Sequence, residues 1–398
     1  MKLAIVTPRY GEHILGGAET MARRMGESLA ARGHSVQVLS TGAVSHSEMR
    51  NDQPAESGDI NGVRVARFKL RQPSDPIRHG ALQQRIIMGA RTTIDEQYEW
   101  IDSGVHSPEL YAALLRQLPA LDLVLLIPYP FPLIHYAAAC ARRKAVLWPC
   151  LHDEGYAYTE PVRGLLRESC GIQFNSEPER MLMEENLRLR HAGAHVVGFG
   201  LDRPAINANG ASSAEFRAKF GVHDPFMLYS GRIEIHKNVH VLADYFARYK
   251  HQHPGPLKLV MMGRGAGVDT RHPDIIEVGF LGQSDMAGAL DACTLLCQPS
   301  VNESFSIVIM EAWRAGKPVL VHADCAVTHH HVLCSNGGLA FGNFDEFVAM
   351  TDLLTRAPAV ARNLGARGQA YVSRECDWDA VIARFEAAAS DWISRSRK

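Results

Sequence analysis

The stretch from Pro299 to Val319, PSVNESFSIVIMEAWRAGKPV, holds two carboxylates eight residues apart. Glu303 falls on a loop after an apolar strand end (Leu295, Leu296, Cys297), and Glu311 falls two turns into a helix opening near Ser306. Gly316, Lys317 and Pro318 close that helix and start the next strand. In an open α/β sheet the carboxyl edge of the strands is where ligands bind. A carboxylate accepts from two donors at once, which suits a ribose diol or adjacent sugar hydroxyls. The backbone N–H groups of Phe305, Ser306 and Ile307 open the helix, where a phosphate is favoured. Two cations belong to the same constellation. Arg232 stands at the tip of the strand FMLYSGRI, and Lys237 lies four residues past Ile233. A planar fork and a point charge on one loop can hold a diphosphate and stabilise the charge that builds as it leaves.

These residues resemble the Glu-x7-Glu signature of retaining family 4 glycosyltransferases, usually E-G-F-G-x-x-x-x-E-A, with Ser304 and Ser306 where the glycines commonly stand. The G-R-I run with Lys237 is similar to that family's diphosphate site. The resemblance implies Glu311 on the ribose, Arg232 and Lys237 on the diphosphate and Glu303 on the sugar. It also implies backbone near Gly282–Ser284, with Gly282 and Ser284, at the base. Gly16 and Gly17, with Glu19, resemble the family's G-G-x-E stretch at the donor phosphates or the reaction centre. His152, after the strand KAVLWPCLHDE, is similar to a histidine that contacts the donor sugar. The implied activity is retaining transfer of a hexose-type sugar from a UDP- or GDP-sugar to an acceptor hydroxyl, in cell-envelope polysaccharide or glycolipid synthesis. No metal and no cofactor is expected, because the nucleotide-sugar is a substrate and the leaving diphosphate can serve as the base.

Positioning these groups calls for two α/β domains, and 398 residues suffice for two. The first series starts with the buried strand Leu3–Thr7, a Gly16-Gly17 tip and a helix over 18–31 with Met21, Met25 and Leu29 on its sheet face. The spacing is not G-x-G-x-x-G, nor is that of Gly263-Arg264-Gly265, which argues against an NAD-dependent dehydrogenase. LDLVLLI (121–127) reads as a central strand, and 204–213, PAINANGASS, as a linker. A second series follows in FMLYSGRI, LKLVMMG, DIIEVGFLG and PVLVH, and the chain is expected to be helical after Gly338. The expected fold is GT-B, two doubly wound Rossmann-like domains facing a central cleft. Its divisions are an acceptor-side domain over 1–203, a nucleotide-sugar domain over 204–376, and a helix over 377–398 crossing back to the first domain.

Composition agrees with a globular protein, 46% hydrophobic and 21% charged, and a net charge of −1 gives no case for nucleic acid. No apolar run approaches a transmembrane span, the start MKLAIVTPRY reads as a strand, and the eight cysteines show no C-x-x-C, so a cytoplasmic location with free thiols is expected. His329–His331, read as a strand, alternate faces and are poor ligands; Asp377-Trp378-Asp379 reads as a helix opening. One helix is expected from Arg78 to Trp100. Its Arg78, Arg85 and Arg91, with Leu82, Ile86 and Ile87 between, would form a basic and apolar face. Such a face predicts weak, salt-sensitive contact with the inner membrane surface and a glycan or lipid-linked acceptor. A sugar-nucleotide epimerase of the same fold and a non-catalytic nucleotide-sugar-binding protein are the alternative functions.

Overall fold

The computed structural model describes residues 1–14, 16–45, 48–202 and 213–397. The expected linker at 204–213 therefore falls almost wholly outside the described residues. The chain divides into two compact units, one formed by Met1–Gly200 with Trp378–Lys398, the other by Leu201–Asp377.

The first unit is built on an eight-stranded sheet of β1 (Lys2–Val6), β2 (Ser35–Thr41), β3 (Ser57–Ile60), β4 (Val63–Phe68), β5 (Leu123–Leu126), β6 (Ala145–Leu147), β7 (Gly171–Phe174) and β8 (Ala194–Val196). Their order is β3-β4-β2-β1-β5-β6-β7-β8, and only the β3–β4 hairpin is antiparallel. The central strands β5 and β6, and β1 after Lys2, are unbroken aliphatic runs because helices cover both faces of a parallel sheet. Met21, Met25 and Leu29 are buried, as a four-residue repeat on a sheet-facing helix requires. The last helix, Trp378–Ser396, belongs to this unit: Trp392 is fully buried, and its Nε1 donates to the Gly193 carbonyl at 2.7 Å. A Cβ at Gly171 would lie 2.1 Å from the Trp392 ring, so only glycine lets the indole reach β7.

The second unit carries β9 (Phe226–Ser230), β10 (Lys258–Met262), β11 (Ile275–Gly279), β12 (Leu295–Gln298), β13 (Val319–His322) and β14 (Gly338–Phe341). All six are parallel, in the order β11-β10-β9-β12-β13-β14. The order reverses between β9 and β12, which opens a crevice beyond their carboxyl ends. Both units are doubly wound, the architecture of the GT-B fold.

Several local expectations are corrected. The helix expected from Arg78 to Trp100 is two helices, Pro76–Ile87 and Ile94–Asp102. Gly89 at φ 64° ends the first, and a capping box between Thr93 and Glu96 starts the second. His329–His331 lie in the helix Ala326–Ser335, not in a strand: Val327, Thr328, His331, Val332 and Ser335 are buried at helical spacing. Gly338 opens the strand β14 before the helices resume. All eight cysteines are free thiols, and Cys334 is exposed.

Candidate functional site

The crevice of the second unit gathers the carboxyl ends of β9, β10 and β12. β9 ends at Ser230, and the chain turns at Gly231, whose φ is 152°. Beside it Gly263 closes β10 at φ 151°, and a Cβ there would lie 1.8 Å from the Gly231 carbonyl oxygen. The glycines that fail the dinucleotide spacing thus have a packing duty: they let two loops lie backbone against backbone. Tyr229 is fully buried, and its hydroxyl donates to the Arg232 carbonyl at 2.6 Å, holding the turn from below. Burial raises the Tyr229 phenol well above its usual range, so it stays a donor.

Arg232 itself is exposed, with its guanidinium 3.0 Å from Glu234. Five residues on, the short turn Ile235–Lys237 brings Lys237 back toward the sheet, where its Nζ meets Glu303 Oε1 at 2.7 Å. Asn238, in the left-handed region at φ 57°, donates through its side-chain amide to the Pro299 carbonyl at 3.1 Å. That bond ties the loop after β9 to the loop after β12. A cation and a carboxylate far apart in sequence are therefore paired at the switch point, both only partly accessible to solvent. The pair is poised for a ligand that supplies an anion to Lys237 and donors to Glu303.

The helix after this loop spans Ile307–Arg314. Ile309, Met310, Ala312 and Trp313 are fully buried, and Trp313 Nε1 donates to the Gly337 carbonyl at 2.8 Å. This wedge of apolar side chains fixes the helix axis, and with it Glu311 on the half-buried side. Burial lifts the Glu311 carboxyl to about 7, against a smaller pull downward from Arg314 one turn on. At the helix start Phe305 is buried edge-on to the His331 ring at 5.4 Å, and His331 Nδ1 lies 2.9 Å from the Tyr371 hydroxyl. Burial depresses the His331 imidazole to about 3, so it is neutral packing and not a charge in the site. Ser306 is the N-cap, at φ 67° and ψ 76°. Gly282 caps the helix Gln283–Ala292, with Ser284 exposed in its first turn.

In the first unit Gly16 and Gly17 open the helix Gly17–Ala31 after β1. Gly16 has φ 147°, and a Cβ there would lie 2.0 Å from Glu19 Oε2. Glu19 is buried and paired with Arg9 at 2.5 Å, and Arg9 also donates to the Val44 carbonyl. The carboxylate of the G-G-x-E stretch is thus turned inward, where it braces the loop. Gly17 has open space around it. His152, half-buried, follows β6 between Asp153 and Leu151, whose N–H donates to the buried Glu179 carboxylate. Burial raises Glu179 to about 8, against the pull of its backbone donors, so this residue is a buried brace for the loop.

Of the basic and apolar face expected over residues 78–91, Ile87 is exposed, while four other members are engaged within the fold. Leu82 and Ile86 are buried, Arg78 is paired with Glu99 at 2.8 Å, and Arg85 with Glu96 at 2.6 Å. Residues 73–106 hold three arginines and five carboxylates, a net charge of −2. Among the described residues no helix is long and apolar enough to cross a membrane, and no group of three or more His, Cys, Asp and Glu is placed to hold a metal ion.

Sequence reasoning missed Glu234, Tyr229 and Asn238. Asn238 had a weak signal, an asparagine just before a helix, but its bond to Pro299 needs β9 laid against β12; Tyr229 and Glu234 both contact Arg232 within the same turn. The arrangement of cations, carboxylates and a helix N-terminus at one switch point suits a phosphorylated, hydroxyl-rich ligand.

Residues 212–370 match the family model described as glycosyl transferases group 1. That match supports a group 1 glycosyltransferase. Over 350 residues the chain is 25% identical to an uncharacterized glycosyltransferase of Methanocaldococcus jannaschii, covering 81% of this chain and 80% of that protein. It is 22% identical over 429 residues to a glycogen synthase of Mycobacterium tuberculosis, covering 100% and 95%. The crystal structure of Anabaena HepE in complex with UDP and glucose superposes with a TM-score of 0.71 at 17% identity, covering 98% of this chain and 99% of that one. The structural likeness shows the GT-B fold. The matched region of the family model contains Arg232, Lys237, Gly282, Ser284, Glu303 and Glu311.

Proposed function

We propose that this glycosyltransferase moves a sugar from a UDP- or GDP-sugar to the hydroxyl of a glycan or lipid-linked glycan, with retention at the anomeric carbon. The observation that carries the reading is the Lys237–Glu303 pair at the switch point of the second unit, inside the family match. Lys237 and Arg232 face the leaving diphosphate, whose charge grows as the glycosidic C–O bond breaks; preorganised cations stabilise it most at that moment. Glu303 accepts from sugar hydroxyls, and Glu311 accepts from the ribose diol. The N–H groups of Phe305, Ser306 and Ile307 serve the phosphate and sugar, and the backbone of Gly282–Ser284 serves the base. In the first unit the same reading assigns Gly16 and Gly17 to the donor phosphates and His152 to the donor sugar. The acceptor proton passes to the departing diphosphate, so the reading requires neither a covalent nucleophile nor a metal. The complex of HepE with UDP supports a uridine nucleotide as the first donor to try.

The test is acceptor-free hydrolysis of UDP-, GDP-, ADP- and dTDP-sugars, with the released sugar's anomeric configuration followed by proton NMR. Release of the α-anomer from an α-linked donor supports retention; initial release of the β-anomer overturns it. Interconversion of nucleotide-sugars without release of free sugar would replace the transferase with an epimerase.

A further inference from the structure

Ser306 is costly where it stands. Its φ of 67° lies in the left-handed region, which strains any residue with a Cβ and costs glycine almost nothing. It is also the N-cap of the helix Ile307–Arg314, the position where a serine hydroxyl ordinarily accepts from the second or third N–H of the helix. Here the left-handed backbone prevents that, and no side-chain cap bond forms. The residue is only 7% exposed, and its Oγ is buried with no hydrogen-bond partner. A polar atom in this state is uncommon in a folded protein, and when strain and an unsatisfied group coincide at a site the usual reason is function. Two needs coincide at one point: a helix N-terminus without a side-chain cap and a hydroxyl without a partner. One phosphate oxygen can meet both, accepting from the hydroxyl while its charge faces the helix N-terminus.

We infer that the Ser306 hydroxyl is a ligand-binding group which donates to the distal phosphate of the nucleoside diphosphate. The inference rests on the donor-binding reading above and goes beyond it. The side chain at 306 acts as well as the backbone, and the phosphate bond offsets the strain and the unsatisfied hydroxyl of the free protein. Rotation about the serine Cα–Cβ bond turns the hydroxyl toward the incoming oxygen.

Two variants separate the causes. Ser306→Ala keeps the Cβ strain and removes the hydroxyl, and Ser306→Gly removes both. Titration calorimetry with UDP, GDP, UMP and GMP, and thermal unfolding of the free proteins, are the measurements. Both variants are expected to lose about tenfold in affinity for whichever diphosphate the wild type binds and to bind the matching monophosphate within twofold of wild type. Ser306→Gly alone is expected to unfold several degrees higher than Ser306→Ala. Wild-type affinity for the diphosphate in Ser306→Ala overturns the inference and leaves the proposed function standing. An equal loss for monophosphate and diphosphate overturns the distal-phosphate assignment. Failure of the wild type to bind either diphosphate overturns the proposed function and this inference with it.

Discussion

Replacing Glu311 by glutamine should stabilise the free protein and weaken nucleotide binding, and the two effects should separate with pH. The carboxyl is held at about 7 in the fold by burial, against 4.5 as its ordinary value. Between those values the folded state keeps a proton that the unfolded chain releases. Stability therefore falls as pH rises from about 4.5 through about 7 and levels off above it. A shift of that size corresponds to roughly 3 kcal/mol of destabilisation once the group is ionised, at about 1.4 kcal/mol per pH unit. The glutamine avoids that cost, so at pH 8 the variant should unfold several degrees above wild type, and near pH 4.5 the two should coincide. Nucleotide binding should move the other way. An ionised carboxylate accepts more strongly from a ribose diol than an amide does, and the difference is about tenfold in affinity at pH 8. Wild-type affinity should climb between pH 6 and 8 while the variant's stays flat. Calorimetric titration with UDP and GDP, with thermal scans at matching pH, checks both limbs. Equal affinity of variant and wild type at pH 8 would refute the ribose assignment, and an unchanged thermal difference between pH 4.5 and 8 would refute the burial argument.

Arg232→Ala, an exposed site, should leave the unfolding temperature within about 1 °C of wild type, as surface changes usually do, and lower turnover. Lys237→Ala should lower turnover and also destabilise, since it takes away the ammonium that meets Glu303; the double variant should fall short of the product of the two losses, measured as kcat on the preferred donor. Gly368→Ala would place a Cβ 2.1 Å from Trp313 Cδ1, so it should destabilise by about 1–3 kcal/mol in urea unfolding by displacing the helix that carries Glu311. Vesicle co-sedimentation should show no enrichment on anionic over neutral lipid, because residues 73–106 carry net negative charge with Arg78 and Arg85 already paired. Salt-sensitive recovery with anionic vesicles would reverse that conclusion.

The sequence by itself determined what is local. Alternation of aliphatic strands with four-residue helical repeats was enough for two doubly wound units. The strand–loop–helix grammar around residues 295–318 is enough to place Glu303 on a loop and Glu311 on a helix. Glycine tips, proline starts and capping residues act within a few positions, so they can be read from neighbours. Misreadings arose where a local signal was overlooked or ambiguous: Gly89 with the Thr93 capping box splits a helix, and the histidine run fits either period until burial is known. The tertiary structure decided everything set by proximity across the sheet. Lys237 meets Glu303 because β9 and β12 are neighbours across the reversal in strand order, and a register fixed by six strands is not encoded near either residue. Glu311 titrates near neutrality because Trp313 and its neighbours wedge the helix into a core assembled from distant segments. Glu19, by spacing a candidate for the site, turns inward to Arg9 because the packed loop offers it a guanidinium there. Charge, burial and pairing are properties of three-dimensional neighbourhoods, and the chain order of a parallel sheet separates those neighbours by a helix or more.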